Sequence, residues 1–382
     1  MRIGIFTESF LPQVNGVVTA ICNSARLLSK DHEISIFTVG EGPAQYSGIP
    51  VIRFKGMKLP TYPEYRFFVP SRGTLDKLGR ISLDIIHVRS SVGFSLAALR
   101  AAKRLNIPVV GTFDTPLSDY VHYVPVLGRV DPLRRVLSRL SLKYMAWMYN
   151  RCDMVIAPSE VTRKWLESIG CKSRIKVISN GVDTSLFRPG KRSAGLRKRL
   201  LKGRKLLLLH VGRITREKRI DTLLDAARGL KGKGLDFRLV VAGKGPELQR
   251  LHRAAKELGL DDHVGFIGFV PDNELPTLYA SSDVFVTASP VETEGIVLLE
   301  AMASGLPVIG ADAGAIPEIV NSRNGLLFRA GDSGGLVGKI LLIAGRNPRK
   351  AMSASARKHS ESYSIAKTVK RLDSVYRRLA KN

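Results

Sequence analysis

Short apolar runs rich in β-branched residues alternate along this chain with longer stretches of helical periodicity. The first series predicts strands at 3–6 (IGIF), 33–39 (EISIFTV), 84–89 (DIIHVR), 108–113 (PVVGTF), 153–159 (DMVIAPS) and 175–179 (IKVIS). Strands spaced by helix-length segments read as a parallel α/β domain. A second series repeats the pattern at 205–212 (KLLLLHVG), 237–243 (FRLVVAG), 263–269 (HVGFIGF), 283–289 (DVFVTAS) and 307–311 (PVIGA), which predicts a second α/β domain. Periodicity gives way to turn residues and charge at NGVDTSLFRPGKR (180–192), so the domains are expected at 1–188 and 189–362. A last helix at 365–379, within a closing segment 363–382, has no strand after it. Repeats and low-complexity sequence are absent.

The most informative stretch is VETEGIVLLEAMASG, where Glu292 and Glu300 flank a sharp change from polar loop to an apolar run, Ile296 to Met302, that reads as a helix. A helix N-terminus offers unpaired N–H groups and the positive end of a dipole. Gly295 just before it lets a ligand approach the backbone closely. That combination suits a phosphate, with the backbone of Gly295, Ile296 and Val297 against it. Two carboxylates on either side can accept hydrogen bonds from hydroxyl groups, which matches the layout of a sugar nucleotide. The bland alternative is that Glu292 and Glu294 favour the helix dipole while Glu300 is a solvated helix residue.

A second constellation, VGRITREKRID (211–221), follows a predicted strand and presents Arg213 and Lys218 around a turn. A guanidinium grips two phosphate oxygens while an ammonium acts as a point charge, so the pair suits a diphosphate leaving group. Otherwise they are two surface cations beside Glu217. TESFLPQVNGVVTA places Gly16 at a helix start after the first strand, either as a close-approach glycine or as a simple helix entry. GTFDTPLSDY ends another strand with Asp114, which can accept from a sugar hydroxyl or cap the following turn.

These motifs resemble family 4 of the retaining glycosyltransferases: the E-x7-E spacing, the G-R-x4-E-K positions, the GKGP turn at 243–246 and the following ASGLPVI and glycine-rich turn. The resemblance spans nearly the whole chain. It departs at Glu294, where the family usually has an aromatic residue, at Asp114, where many relatives have His, and at Asn15-Gly16, where two glycines are common. It implies the GT-B fold, two facing Rossmann-like domains with a cleft between them, and a C-terminal helix crossing back to the first domain. The N-terminal domain would bind the acceptor and the C-terminal domain the nucleotide sugar. The resemblance further implies that Arg213 and Lys218 stabilise the diphosphate, Glu292 orients the sugar hydroxyls, Glu300 holds the ribose diol, and Gly243 lies beside the nucleotide. The backbone of Gly268, Phe269 and Val270 would meet the base. Acceptor attack would occur on the face from which the diphosphate leaves, whose own oxygen takes the proton. No Asp-x-Asp metal motif is present, so fixed cations are expected to replace a metal and turnover to need neither metal nor cofactor.

Charge bears on the acceptor. The chain carries a formal net charge of +27, shared between 26 basic and 14 acidic residues in 1–190 and 34 and 19 in the remainder. Neither half owns the excess, and no nucleic-acid reader module is recognisable, so nucleic acid is not the expected partner. Two segments concentrate it. KRSAGLRKRLLKGRK (191–205) reads as a solvated hinge, and DPLRRVLSRLSLKYMAWMYNR (131–151) as an amphipathic helix. The helix has Arg135, Arg139 and Lys143 on one stripe and Leu133, Val136, Leu137, Leu140, Trp147 and Met148 available for burial. Such a helix packs on a core with a solvated basic edge, or lies on lipid. KLPTYPEYRFFVP (58–70) resembles an acceptor-side loop in relatives that glycosylate lipids. The expected reaction is therefore hexose transfer from UDP-hexose or GDP-mannose to a hydroxyl on a lipid or glycolipid at an anionic membrane surface. A soluble sugar or polysaccharide acceptor, and a non-catalytic partner subunit, stay open. Without a signal peptide or an apolar run of about 18 residues, a cytoplasmic, peripheral inner-face protein is expected. Cys22, Cys152 and Cys171 have neither disulfide nor metal spacing. Nothing in the pattern specifies an oligomeric state.

Overall fold

A computed structural model of the chain describes residues 1–13, 15–59, 62–68, 81–89, 93–114 and 131–381, the side chains of 57–59, 62–67 and 131–135 excepted. It divides into two compact units, one comprising Met1–Asn180 with Ala366–Asn382 and the other Gly181–Ile365.

In the first unit an eight-stranded sheet runs in the order 175–177, 154–157, 109–112, 85–88, 2–6, 33–39, 49–54, 45–46, parallel except for the last pair. Strands such as Ile85–Val88 and Met154–Ala157 are buried along their whole length. Cores on both faces explain why they read as unbroken apolar runs. Strands Gln45–Tyr46 and Ile49–Phe54 were not apparent in the pattern. Pro50 interrupts the second, tolerable only near a sheet edge, and Ser47 and Gly48, with φ of 50° and 80°, form the two-residue hairpin turn. Helix Ile365–Leu379 packs Leu372, Val375 and Tyr376 into the core of this unit. The Tyr376 hydroxyl lies 2.7 Å from His87 Nδ1, and His87 Nε2 lies 2.7 Å from the Thr112 hydroxyl, so the helix is tied to two central strands. Burial holds the His87 pKa well below its ordinary value.

The second unit has a six-stranded parallel sheet in the order 264–268, 237–242, 206–211, 284–287, 308–311, 325–328. In sequence order within the unit this is 3-2-1-4-5-6, the doubly wound arrangement whose strand order reverses between 206–211 and 284–287. Loops at the carboxyl ends of those two strands border the crevice where such sheets take ligands. The loops are 212–219 and 288–295, the two stretches singled out in the sequence. The basic run 191–205 is not a hinge. Ser193 accepts from Leu196 N and caps helix Ala194–Leu201, which buries Leu200 in the core of this unit. A cap and two apolar residues one turn apart outweigh the local charge.

Candidate donor site

The second unit brings its expected residues together. Strand Leu206–Val211 delivers the loop bearing Arg213 and Lys218, and strand Val284–Thr287 delivers Glu292. Across the switch point Lys218 Nζ donates to Glu292 Oε1 at 2.5 Å, with side chains 18% and 12% exposed. Burial pushes the Glu292 pKa up, but the Lys218 charge and hydrogen bond outweigh it and leave the carboxyl below its usual range. Arg213 is 63% exposed, its nearest carboxylate being Glu217 at 3.9 Å. Its guanidinium therefore has donors to spare.

Helix Ile296–Ala303 begins where expected, one residue longer than the sequence suggested. Gly295 adopts φ 83°, a left-handed conformation that L side chains rarely take, and a Cβ there would lie 2.7 Å from Leu298. No side chain caps this helix, and among the described residues the N–H groups of Ile296 and Val297 meet no acceptor. The helix thus presents open donors beside the Lys218–Glu292 pair. Glu300 stands on the same helix, where its Oε2 accepts from the buried Tyr279 hydroxyl at 2.8 Å. Burial raises the Glu300 pKa to about 7 against the opposing Tyr279 hydrogen bond, with Asp272 adding repulsion. Glu294 is 5% exposed and points to structure rather than to solvent.

Close backbone packing holds these loops. A Cβ at Gly243 would come within 1.8 Å of Gly212 O, and one at Gly245 within 2.1 Å of Ile214 O, so the GKGP turn must be glycine to lie against the Arg213 loop. Gly243 N donates to Gly268 O at 2.7 Å and Ile214 N to Lys244 O at 2.8 Å, lacing three strand-end loops together. Phe269 is 48% exposed beside that junction, with Lys244 Nζ 5.6 Å from its ring centre, and Val270 is partly buried. On the other side Ala315 N donates to Glu292 O at 2.9 Å, and a Cβ at Gly314 would lie 2.7 Å from that same oxygen. The second glycine-rich turn therefore braces the Glu292 backbone.

His210 was not singled out in the sequence. It lies buried under the pair, Nδ1 3.0 Å from Val286 O, and burial first, with Lys218 opposing protonation, lowers its pKa to about 4. A neutral ring sets the polarity of the floor beneath Lys218 and Glu292.

In the first unit Gly16 is the first residue of helix Gly16–Leu28, whose cap is Asn15, accepting from Val18 N at 3.0 Å. Asp114 is only 8% exposed in its side chain, and Arg89 engages both its oxygens, Nε to Oδ2 at 3.0 Å and Nη2 to Oδ1 at 2.5 Å. Arg89 Nη2 also donates to Asn180 Oδ1 at 2.8 Å. Arg89, overlooked in the sequence, supplies the counter-charge for the buried Asp114 carboxylate. The turn following Asp114 lies outside the described residues. So do residues 60, 61, 69 and 70 and the side chains of 58–59, 62–67, Leu133 and Arg135.

Helix Asp131–Tyr149 corrects one expectation. Met148 is buried, but Val136, Leu140 and Trp147 are 51%, 55% and 39% exposed and share the outer face with Arg139 and Lys143. Met145, Met148 and Tyr149 fill the core instead, and among the described residues nothing covers the other apolar face. Among the described residues no helix is long and apolar enough to cross a membrane.

Comparison with known proteins agrees with this architecture. The family model described as "Glycosyltransferase Family 4" matches residues 14–186, and that described as "Glycosyl transferases group 1" matches 193–359. The alpha-monoglucosyldiacylglycerol synthase of Streptococcus pneumoniae is 34% identical over 322 residues, covering 81% of this chain and 70% of that protein. The sulfoquinovosyl transferase SQD2 of Arabidopsis thaliana is 31% identical over 378 residues, covering 95% of this chain and 70% of its own length. The crystal structure of Anabaena HepE in complex with UDP and glucose superposes with a TM-score of 0.81 at 21% identity, covering 99% of this chain and 100% of that one. The fold is GT-B, and the chain belongs to glycosyltransferase family 4.

Proposed function

We propose that this hexosyltransferase is retaining and metal-independent, and that it moves a hexose from a nucleoside diphosphate sugar to a lipid hydroxyl at an anionic membrane surface. The observation that carries the donor half is the Lys218–Glu292 pair at 2.5 Å beside the uncapped helix start at Gly295. A diphosphate entering there would accept from Lys218, Arg213 and the N–H groups of Ile296 and Val297. Those donors are aimed before the reaction begins, so charge growing on the leaving oxygen is stabilised without reorganisation. As Lys218 turns toward phosphate, Glu292 is released to accept from the sugar hydroxyls. Glu300 would hold the ribose diol, and Gly243, Gly268, Phe269 and Val270 would border the base. The leaving phosphate oxygen takes the acceptor proton, so the carboxylates orient and need not attack. Gly16 would approach the donor through its backbone, and Asp114 would act with Arg89 as a neutral ion pair.

The acceptor half rests on the outer face of helix Asp131–Tyr149, where Val136, Leu140 and Trp147 interleave with Arg139 and Lys143. Apolar anchors among cations are what an anionic bilayer surface binds. The named relatives fit this reading, being a monoglucosyldiacylglycerol synthase and a sulfoquinovosyl transferase. The test is transfer from UDP-hexose and from GDP-mannose into vesicles of neutral or anionic lipid, with the product's anomeric configuration read by NMR. The expected result is an α-linked glycolipid, made faster on anionic vesicles and at an unchanged rate in excess EDTA. A β-linked product, loss of turnover in EDTA restored by Mg²⁺ or Mn²⁺, or labelling of soluble sugars alone would each overturn its part of the proposal.

A further inference from the structure

The charge of this chain is not used up by the donor site. At the opposite end of the second sheet, below the strand starts at Val284 and Val308, lies a cavity of about 830 Å³. Six cationic side chains line it, Arg192, Arg197, Arg346, Arg349, Lys350 and Arg357, against one carboxylate, Asp283. Asp283 is already engaged, accepting from Arg197 Nη2 and from Leu207 N at 2.8 Å each.

The way these cations are held matters more than their number. Arg357 donates to the carbonyls of Phe187, Ala303 and Thr184 at 2.9, 2.7 and 3.0 Å, and Arg349 donates to Ala344 O. Carbonyl oxygens fix a guanidinium in place without cancelling its charge. The charged groups of Arg192, Arg346 and Lys350 have no acceptor or counter-ion among the described residues. The Ser304 hydroxyl, which also lines the cavity, is buried with no hydrogen-bond partner. Uncompensated fixed charge, exposed cations at the rim and an unused buried hydroxyl describe a site waiting for acceptor oxygens. The volume suits a small molecule rather than an extended polymer.

We propose that this cavity is a second anion site, separate from the donor site, which takes a small solute bearing two or more phosphoryl groups. Helix Ile296–Ala303 connects the two. Its first residues border the donor site and Ser304, Gly305 and Leu306 at its far end line the cavity, about 12 Å away for eight residues. Occupancy at one end is thus applied to the element that carries Glu300.

The probe is inorganic tripolyphosphate, titrated calorimetrically at about 0.15 M salt, where long-range surface attraction is largely screened. The full-length chain carrying Arg213→Ala and Lys218→Ala removes the donor-site cations, and the same chain with Arg192→Ala, Arg346→Ala and Lys350→Ala removes the exposed cavity cations. All three added positions are at the surface, and an unchanged melting temperature confirms folding. Saturable binding of one equivalent in the first variant, weakened at least tenfold in the second, is the expected result. Equal binding by both variants, or none by the first, would overturn the cavity assignment. Flotation on phosphatidylglycerol vesicles that depends on these three residues, with no tripolyphosphate binding, would also overturn it in favour of a lipid-facing patch. A failure of the donor-site reading would instead appear as no difference between the wild-type chain and the first variant.

Discussion

Two of the cation–carboxylate pairs at strand ends, one from each unit, are built differently. Arg89–Asp114 is closed. Both carboxylate oxygens are taken, the guanidinium has Asn180 as a further acceptor, and the side chains are 3% and 8% exposed. Lys218–Glu292 is open. One ammonium meets one oxygen, exposure rises to 18% and 12%, and the unpaired N–H groups of a helix start lie alongside. A forked pair holds both carboxylate oxygens on one guanidinium and is fixed at two points, whereas a single-contact pair can exchange its partner for phosphate and hydroxyl oxygens. The first arrangement is held at both carboxylate oxygens, and the second leaves room for a change of partner.

The contrast breaks first if the closed pair proves dispensable. Arg89→Ala leaves Asp114 buried without a counter-charge, and removing one partner of a buried pair costs about 3–5 kcal/mol. Chemical denaturation should show that loss in the first unit, with turnover per folded molecule reduced far less. Stability within experimental error of the parent would mean Asp114 is not a structural anchor. The open pair should respond in the reverse sense. Lys218→Ala is expected to lower turnover roughly 100- to 1,000-fold, the scale of removing one preorganised donor to a developing charge. The circular dichroism spectrum should be retained. Near-normal turnover in that variant would remove Lys218 from the leaving-group site.

The open pair was legible in outline because its parts are local signals: a glycine at a helix start, a strand-end loop with Arg213 and Lys218, and two carboxylates at fixed spacing. The alternation of strands and helices likewise carried both parallel sheets. What stayed hidden was pairing over distance. Nothing near Arg89 indicates that Asp114 will meet it, and nothing near His210 indicates that it will underlie Lys218. Weak edges were hidden too. Ile49–Phe54 contains a proline and Gly325–Phe328 is four residues of an edge strand, so neither stands out from a loop. Periodicity also fails to say which apolar face of a helix is covered. Helix Asp131–Tyr149 has apolar residues around more of its circumference than the core requires, and the side carrying Val136, Leu140 and Trp147 is the one left in solvent. The run 191–205 shows the converse, where dense charge disguises a capped helix.

The smallest expected effect sharpens the comparison most, because it asks whether the second carboxylate of the open site is held ready or held back. Burial raises the Glu300 pKa to about 7 from an ordinary value of 4.5, so the folded chain keeps a proton there that the unfolded chain has released. Between those two values the folded state binds more protons, and its stability must fall as pH rises through that window before levelling off above about 7. Ligand binding runs the other way. Ribose hydroxyls donate to a carboxylate, and only the ionised form offers all its lone pairs. Affinity for a nucleoside diphosphate should therefore rise as pH passes through about 7 and then reach a plateau. Because the Tyr279 hydrogen bond lowers the Glu300 pKa, Tyr279→Phe should move the midpoint to higher pH. On its own plateau above that midpoint the Tyr279→Phe variant should bind only a few-fold more weakly than the parent, the worth of about 1 kcal/mol. Glu300→Gln keeps the phosphate's own ionisation in the measurement while deleting the carboxylate, so the calorimetric pH profile should flatten to that background alone. A profile identical in all three proteins would mean that Glu300 does not hold the ribose.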